Sequence, residues 1–111
     1  MTGIVEELSP QAFCELWPEE RRDLVQLLDI REPQEVTLAS LPSSTQIPMS
    51  QIPARLGDLD PRRPIVVMCH SGQRSRHVAA FLLANGFERV YNLEGGIDAW
   101  STQIDPGVPR Y

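Results

Sequence analysis

Residues 64–84 constrain this chain more than any other stretch. Pro64-Ile-Val-Val-Met-Cys69 is uncharged, rich in β-branched residues and set off by a proline, which reads as a buried strand. Residues 75–84 read as a helix, apolar throughout from Val78 to Ala84. It stops at Asn85-Gly86, residue types that tolerate a left-handed cap. The same alternation runs through the rest of the chain. Ile4-Val5 is a short strand. Ser9-Pro10 opens a helix, with Ser as cap and Pro at the first helical position; it carries Phe13, Cys14 and Trp17 and ends or bends at Pro18. Leu24–Asp29 is a buried strand and Glu32–Leu38 a short helix. Leu41–Pro48 is mainly turn with a short strand near Ile47. Ser50–Leu56 is a further short helix and Arg89–Leu93 a further strand. Gly95-Gly96 turns into a last helix holding Ile97 and Trp100. Strands alternating with helices indicate an α/β fold with a mainly parallel sheet. Ligands of such folds bind beyond the C-terminal ends of the strands, and Cys69 lies at one of these ends.

Length and charge narrow the function. A chain of 111 residues fits one domain, and 41% hydrophobic residues suffice for a core without disulfides or a structural metal. No apolar run reaches about 18 residues, so no membrane span is expected. The start is acidic and lacks a secretory pattern, which places the expected location in the cytoplasm. The two cysteines, Cys14 and Cys69, do not have the number or spacing of a disulfide framework or a zinc site. A net charge of −5 argues against a general nucleic-acid binder. Lysine is absent, which excludes Schiff-base chemistry and a P-loop.

The chemistry-bearing stretch is Cys69-His70-Ser71-Gly72-Gln73-Arg74-Ser75. A loop between a buried strand and a helix can turn successive backbone N–H groups inward and, with the helix N-terminus, form an anion cradle. Gly72 supplies the backbone freedom for the curl. A thiol at its base sits in a positive field, which favours the thiolate. Charge follows the same pattern. Pro61–Phe87 contains no Asp or Glu, where about three or four are expected by chance. The same window holds Arg62, Arg63, Arg74, Arg76, His70 and His77. Cations near a helix start oppose the macrodipole, a placement that makes sense if an anion docks there.

The Cys-x-x-Gly-x-Arg-Ser loop resembles the active-site loop of the rhodanese family. The likeness covers about residues 4–104 and leaves 105–111 as a short tail, the whole being read as one domain. Asp29-Ile-Arg31-Glu32-Pro33 is similar to the family's Asp-x-Arg-Glu segment and Ile47-Pro48 to its Ile-Pro pair. Gly86-Phe87, Val90, Leu93, Gly95-Gly96 and Trp100 fall where the family shows Gly-Phe, Val, Leu, Gly-Gly and Trp. The ending Asp105–Tyr111 resembles that of free-standing bacterial members. One segment departs: Ala39–Ser44 stands where members have Gly-His-Ile-Pro-Gly-Ala, so both glycines and the histidine are missing. The resemblance implies a three-layer α/β/α fold with a mainly parallel sheet of roughly five strands. It implies Cys69 as nucleophile, with His70, Ser71, Gly72, Gln73, Arg74 and Ser75 holding the substrate and Asp29 and Arg31 in support. The implied reaction is a double displacement. A small anionic sulfur donor such as thiosulfate charges Cys69 as a persulfide, and a thiol or protein acceptor takes the sulfur. No metal or cofactor is implied, and a monomer is the expectation.

Several residues carry two readings. His70 either exchanges a proton with Cys69 or, as preferred, tunes the potential at the rim. Arg31 either approaches the site or, as preferred, forms a structural ion pair beneath the loop. His77 reads as a surface residue, Cys14 as a buried inert thiol, and Trp17 and Trp100 as packing. Two other functions compete with sulfur transfer. Cysteine phosphatases and arsenate reductases also use a Cys…Arg loop, but four residues separate Cys69 from Arg74, and the shorter cradle suits one sulfur atom better than a tetrahedral phosphate. A persulfide carrier or a binding module for a protein partner is the second rival.

Overall fold

The computed structural model describes residues 5–111. Five strands form one sheet: β1 (Glu6–Leu8), β2 (Gln26–Asp29), β3 (Ser44–Gln46), β4 (Ile65–Met68) and β5 (Val90–Leu93). Their order is β1-β5-β4-β2-β3, and every neighbouring pair is parallel. Four helices complete the layers: α1 (Pro10–Leu16), α2 (Pro33–Leu38), α3 (Gln73–Ala84) and α4 (Gly96–Gln103).

The alternation of side chains along the central strands sorts the core into two halves. Val66 and Met68 face a cluster with Phe13 and Trp17 at α1 and Ile97 and Trp100 on α4. Ile65, Val67 and Cys69 face the other cluster, with Val78, Ala79 and Leu82 of α3. All four residues of β4 are buried, as its uncharged sequence requires. The layers are therefore α/β/α, as expected.

Local signals placed most elements correctly. Ser9 accepts from the Ala12 amide at 3.1 Å and Pro10 opens α1. α3 ends at Asn85, with Gly86 at φ 90°. The differences have physical causes. The first strand is Glu6–Leu8 rather than Ile4-Val5; Val5 precedes it and Ile4 lies outside the described residues. Its Glu6 and Glu7 are exposed, a charged edge of the kind that discourages pairing with another chain. Leu24 is exposed in a 3-10 turn, Glu19–Leu24, and β2 starts at Gln26. The helix expected at Ser50–Leu56 is two 3-10 segments, Met49–Gln51 and Pro53–Asp58, because Pro53 cannot donate to a continuing α-helix. Near Ile47 the strand is β3, just before it. α3 begins at Gln73 rather than Ser75, so the loop after β4 is two residues shorter than expected.

Ser43, which falls on a glycine of the family pattern that the sequence resembles, takes the left-handed conformation at φ 63°. The departing segment therefore keeps a glycine-like turn with a serine, at a steric cost.

The topology leaves a crevice at one end of the sheet. After β4 the chain runs through α3 to β5 on one side; after β2 it runs through α2 to β3 on the other. Neighbouring strands whose connections diverge leave a crevice beyond their C-terminal ends. The loop starting at Cys69 and the Asp29–Arg31 segment border this crevice, and Asp29 pairs with Met68 in register.

Candidate active site

Cys69 leaves β4 with 1% of its surface exposed. Apolar side chains of the α3 layer pack on one side of it, and polar groups meet its sulfur on the other. The Gly72 amide donates to Sγ at 3.1 Å and the Ser75 amide at 3.4 Å, while Ser75 Oγ lies 3.3 Å away. Burial pushes the thiol up. The Ser75 hydroxyl and the amides of Ser75, Gly72 and Ser71 outweigh it, leaving the thiol below its ordinary value. Ser75 belongs to the first turn of a twelve-residue helix, so the helix N-terminus is aimed at the sulfur.

Two glycines make this geometry possible. Gly72 turns the chain at φ 100°. Gly96 lies against the Cys69 and His70 carbonyls, where a Cβ would collide with both. That approach lets the Ile97 and Asp98 amides donate to those two carbonyls at 2.9 and 3.1 Å, pinning the loop to α4.

Two loop amides, those of Gly72 and Ser75, donate to the sulfur, and the Ser71 amide adds a smaller pull towards the thiolate. His70 has no hydrogen bond to Sγ. Its ring stacks on Tyr111 with centroids 4.2 Å apart, and its Nε2 is buried without a partner. Gln73 is exposed, as is His77. Arg74 is half-buried and makes a two-pronged contact with Glu35 of α2, both bonds 2.8 Å. Arg76 pairs with Glu7 at 2.9 Å. Two arginines of the acid-free window, Arg74 and Arg76, thus meet carboxylates that arrive from distant segments, Glu35 of α2 and Glu7 of β1. Glu35 is held down to about 2, chiefly by the Arg74 hydrogen bond.

Arg31 takes the structural position. It and Asp29 are fully buried and meet through Nε–Oδ1 at 2.9 Å and NH2–Oδ2 at 2.7 Å. The remaining donors reach the Ala39 carbonyl at 2.7 Å, the Glu35 carbonyl at 3.2 Å and the Tyr111 hydroxyl at 3.1 Å. Burial disfavours its charge, but Asp29 and Tyr111 more than offset this and hold it ionised. Cys14 is half-buried rather than buried, packed at the edge of the α1–α4 cluster. Trp17 and Trp100 are core residues, each near the Phe13 ring.

Two site residues escaped the sequence reading. Tyr111 comes back from the tail to cover His70 and to bond both Arg31 and Glu35. Asn92 of β5 is completely buried, accepts from Ser75 Oγ and donates to the Gly72 carbonyl at 3.0 Å. A signal for Asn92 was present: it is the polar residue in an otherwise apolar buried strand, and buried amides need partners. Among the described residues no three His, Cys, Asp or Glu side chains gather as a metal-binding group. Nor is any described helix long and apolar enough to cross a membrane.

The thiol sits at the base of an amide-lined loop, and the sequence pattern of the rhodanese-like domain matches residues 15–103. The chain belongs to the rhodanese-like family. A protein of Allochromatium vinosum named sulfurtransferase is 43% identical over 77 residues, which span 69% of this chain and 72% of that one. The rhodanese-like/PpiC domain-containing protein 12 of Arabidopsis thaliana, chloroplastic, is 42% identical over 93 residues. That match covers 80% of this chain and 31% of the plant protein, so this rhodanese-like chain spans about a third of that relative. The crystal structure of a rhodanese-like domain protein from Staphylococcus aureus superposes with a TM-score of 0.80 at 28% identity, covering 96% of this chain and 99% of the other.

Proposed function

We propose that this chain is a sulfurtransferase that moves a sulfane sulfur from a small anionic donor such as thiosulfate to a thiol or protein acceptor, through a persulfide on Cys69. The observation that carries this reading is the cradle itself: a thiol facing the Ser71, Gly72 and Ser75 amides and the Ser75 hydroxyl, with its ionisation favoured. The names of its relatives agree with transfer of sulfur as the general activity.

In the proposed first half-reaction the Cys69 thiolate attacks the outer sulfur of thiosulfate. The donor's S–S bond breaks and sulfite leaves with the electron pair. The resulting persulfide carries its negative charge on the outer sulfur, where inward-facing N–H groups stabilise it as they would an oxyanion. In the second half-reaction a thiophilic acceptor attacks that sulfur and the Cys69 thiolate departs. Cyanide serves as the acceptor in an assay.

Thiosulfate:cyanide transfer by the intact chain, against Cys69→Ser, tests the assignment. Turnover in the parent and none in the variant supports it. Turnover retained by the serine variant sinks it. A parent that accepts sulfur from thiosulfate but hardly releases it to cyanide points instead to the carrier function.

A further inference from the structure

Ser75 Oγ has one hydrogen and two neighbours that can claim it. One is the Cys69 sulfur, 3.3 Å away. The other is Asn92 Oδ1, to which the hydroxyl makes a short bond. The orientation of the Asn92 amide decides what Ser75 meets. Its Nδ2 donates to the Gly72 carbonyl at 3.0 Å and to both Glu7 oxygens, at 3.0 and 3.2 Å. Turning the amide over would set Oδ1 against a carbonyl and a carboxylate, with acceptors facing acceptors. Oδ1 is therefore fixed towards Ser75. Backbone register supports the clamp, since Glu7 of β1 lies directly opposite Asn92 of β5. Arg76 holds Glu7 from the outside at 2.9 Å.

We infer that Asn92 is a positioning residue that competes with the Cys69 thiolate for the Ser75 hydroxyl hydrogen, and that Glu7 and the Gly72 carbonyl hold it in this role. With Cys69 protonated, S–H donates to Ser75 Oγ and Ser75 O–H donates to Asn92 Oδ1, so every group is satisfied. When the sulfur loses its proton to a base in solution, the hydroxyl turns to donate to the thiolate. Asn92 Oδ1 then loses its donor in a buried place. The chain Glu7–Asn92–Ser75 thus favours the neutral thiol, while the three loop amides favour the thiolate. This inference rests on the proposed use of Cys69 only for its catalytic meaning. In that reading the hydroxyl faces the sulfur at the two moments when charge sits there: before attack on the donor, and when the persulfide is relieved of its outer sulfur.

Other charges act on this thiol and have to be separated from the relay. Arg74 and Arg76 face it from α3, each tied to a glutamate, Glu35 and Glu7 respectively. The Asp29–Arg31 pair flanks it from the end of β2, His70 follows it in the loop, and Asp98 caps the His70 carbonyl from α4. Of these, Arg76 alone touches the relay, through Glu7, and the double-mutant cycle of Asn92 and Ser75 isolates the coupling that runs through the Ser75 hydroxyl.

The experiment is the pH dependence of iodoacetamide alkylation of the full chain, read by mass spectrometry on the peptide bearing Cys69 so that Cys14 does not contribute. Asn92→Ala removes the competing acceptor, and the apparent Cys69 pKa falls by about one unit. A role limited to holding Gly72 in place predicts the opposite sign, because a loosened Gly72 amide supports the thiolate less. Asn92→Leu keeps the branched shape without the polar atoms and gives the same fall, which covers the case of an alanine variant that does not fold. In a Ser75→Ala background the Asn92 substitution shifts the pKa by less than a third as much. A rise in the single variants, no change, or an undiminished fall in the Ser75→Ala background overturns the inference. Each of these outcomes is independent of whether the protein transfers sulfur, since alkylation needs only the thiol.

Discussion

Replacing Asp29 with Asn tests whether the pair beneath the loop holds the fold rather than the substrate. Both side chains are fully buried, and Asp29 satisfies two of the Arg31 donors in a fork. Asparagine keeps one acceptor, turns an NH2 group towards the guanidinium and leaves its charge uncompensated. Removing one partner of a buried ion pair costs about 3–5 kcal/mol. Three acceptors remain around Arg31: the carbonyls of Ala39 and Glu35 and the Tyr111 hydroxyl. They place the expected loss near the lower end, about 3 kcal/mol. For a domain this size that lowers Tm by roughly 15 °C. Urea unfolding followed by the fluorescence of the buried Trp17 and Trp100 reads the change directly. The double variant Asp29→Leu, Arg31→Met removes both charges and recovers most of the loss. A loss below about 1 kcal/mol in Asp29→Asn would refute the reasoning, because a pair open to water gains and loses that little.

Three further outcomes follow from the same contacts. Glu35 is held down to about 2 by Arg74, so its contribution to stability is complete above the ordinary carboxylate range and is lost as pH falls from about 4.5 towards 2; Glu35→Gln flattens the acid limb of a pH–stability curve in that window, and an unchanged limb contradicts the ion pair. Ser43→Gly relieves the left-handed strain and raises stability by about 0.5–1 kcal/mol in the same urea assay; a loss there means that the serine makes a contact worth more than the strain. Tyr111→Ala uncovers His70 and frees a donor of Arg31, so it speeds alkylation of Cys69 with little change in its apparent pKa; a pKa shift with no rate change contradicts a covering role.

Local features were legible in the sequence and long-range pairings were not. Ser9-Pro10, the uncharged Pro64–Cys69 run and Asn85-Gly86 each dictate structure through their own backbones, and each formed as read. The cysteine at a strand end before a glycine-containing loop was enough to pick out the candidate site, where the Gly72 and Ser75 amides meet the Cys69 sulfur. What sequence reading missed depends on partners far along the chain. Glu35 meets Arg74 from 39 residues away, Glu7 meets Arg76 from 69, and Tyr111 meets Arg31 from 80. Counting acids within one window could not detect carboxylates arriving from α2 and β1. Asn92 was hidden for a related reason: a polar residue in a buried strand announces that it has partners without naming them. The loop after β4 was read as longer than it is because Gln73 and Arg74 are polar, yet they form the first turn of α3, whose apolar face starts only later.

The central claim is that the Cys69 sulfur accepts and holds a sulfane sulfur. Intact-mass measurement after brief thiosulfate treatment, followed by mapping of the modified peptide, tests it most directly. The account predicts a gain of one sulfur atom, located on Cys69, reversed by cyanide and absent in Cys69→Ser. An unmodified protein, or a sulfur found on Cys14 instead, would contradict it.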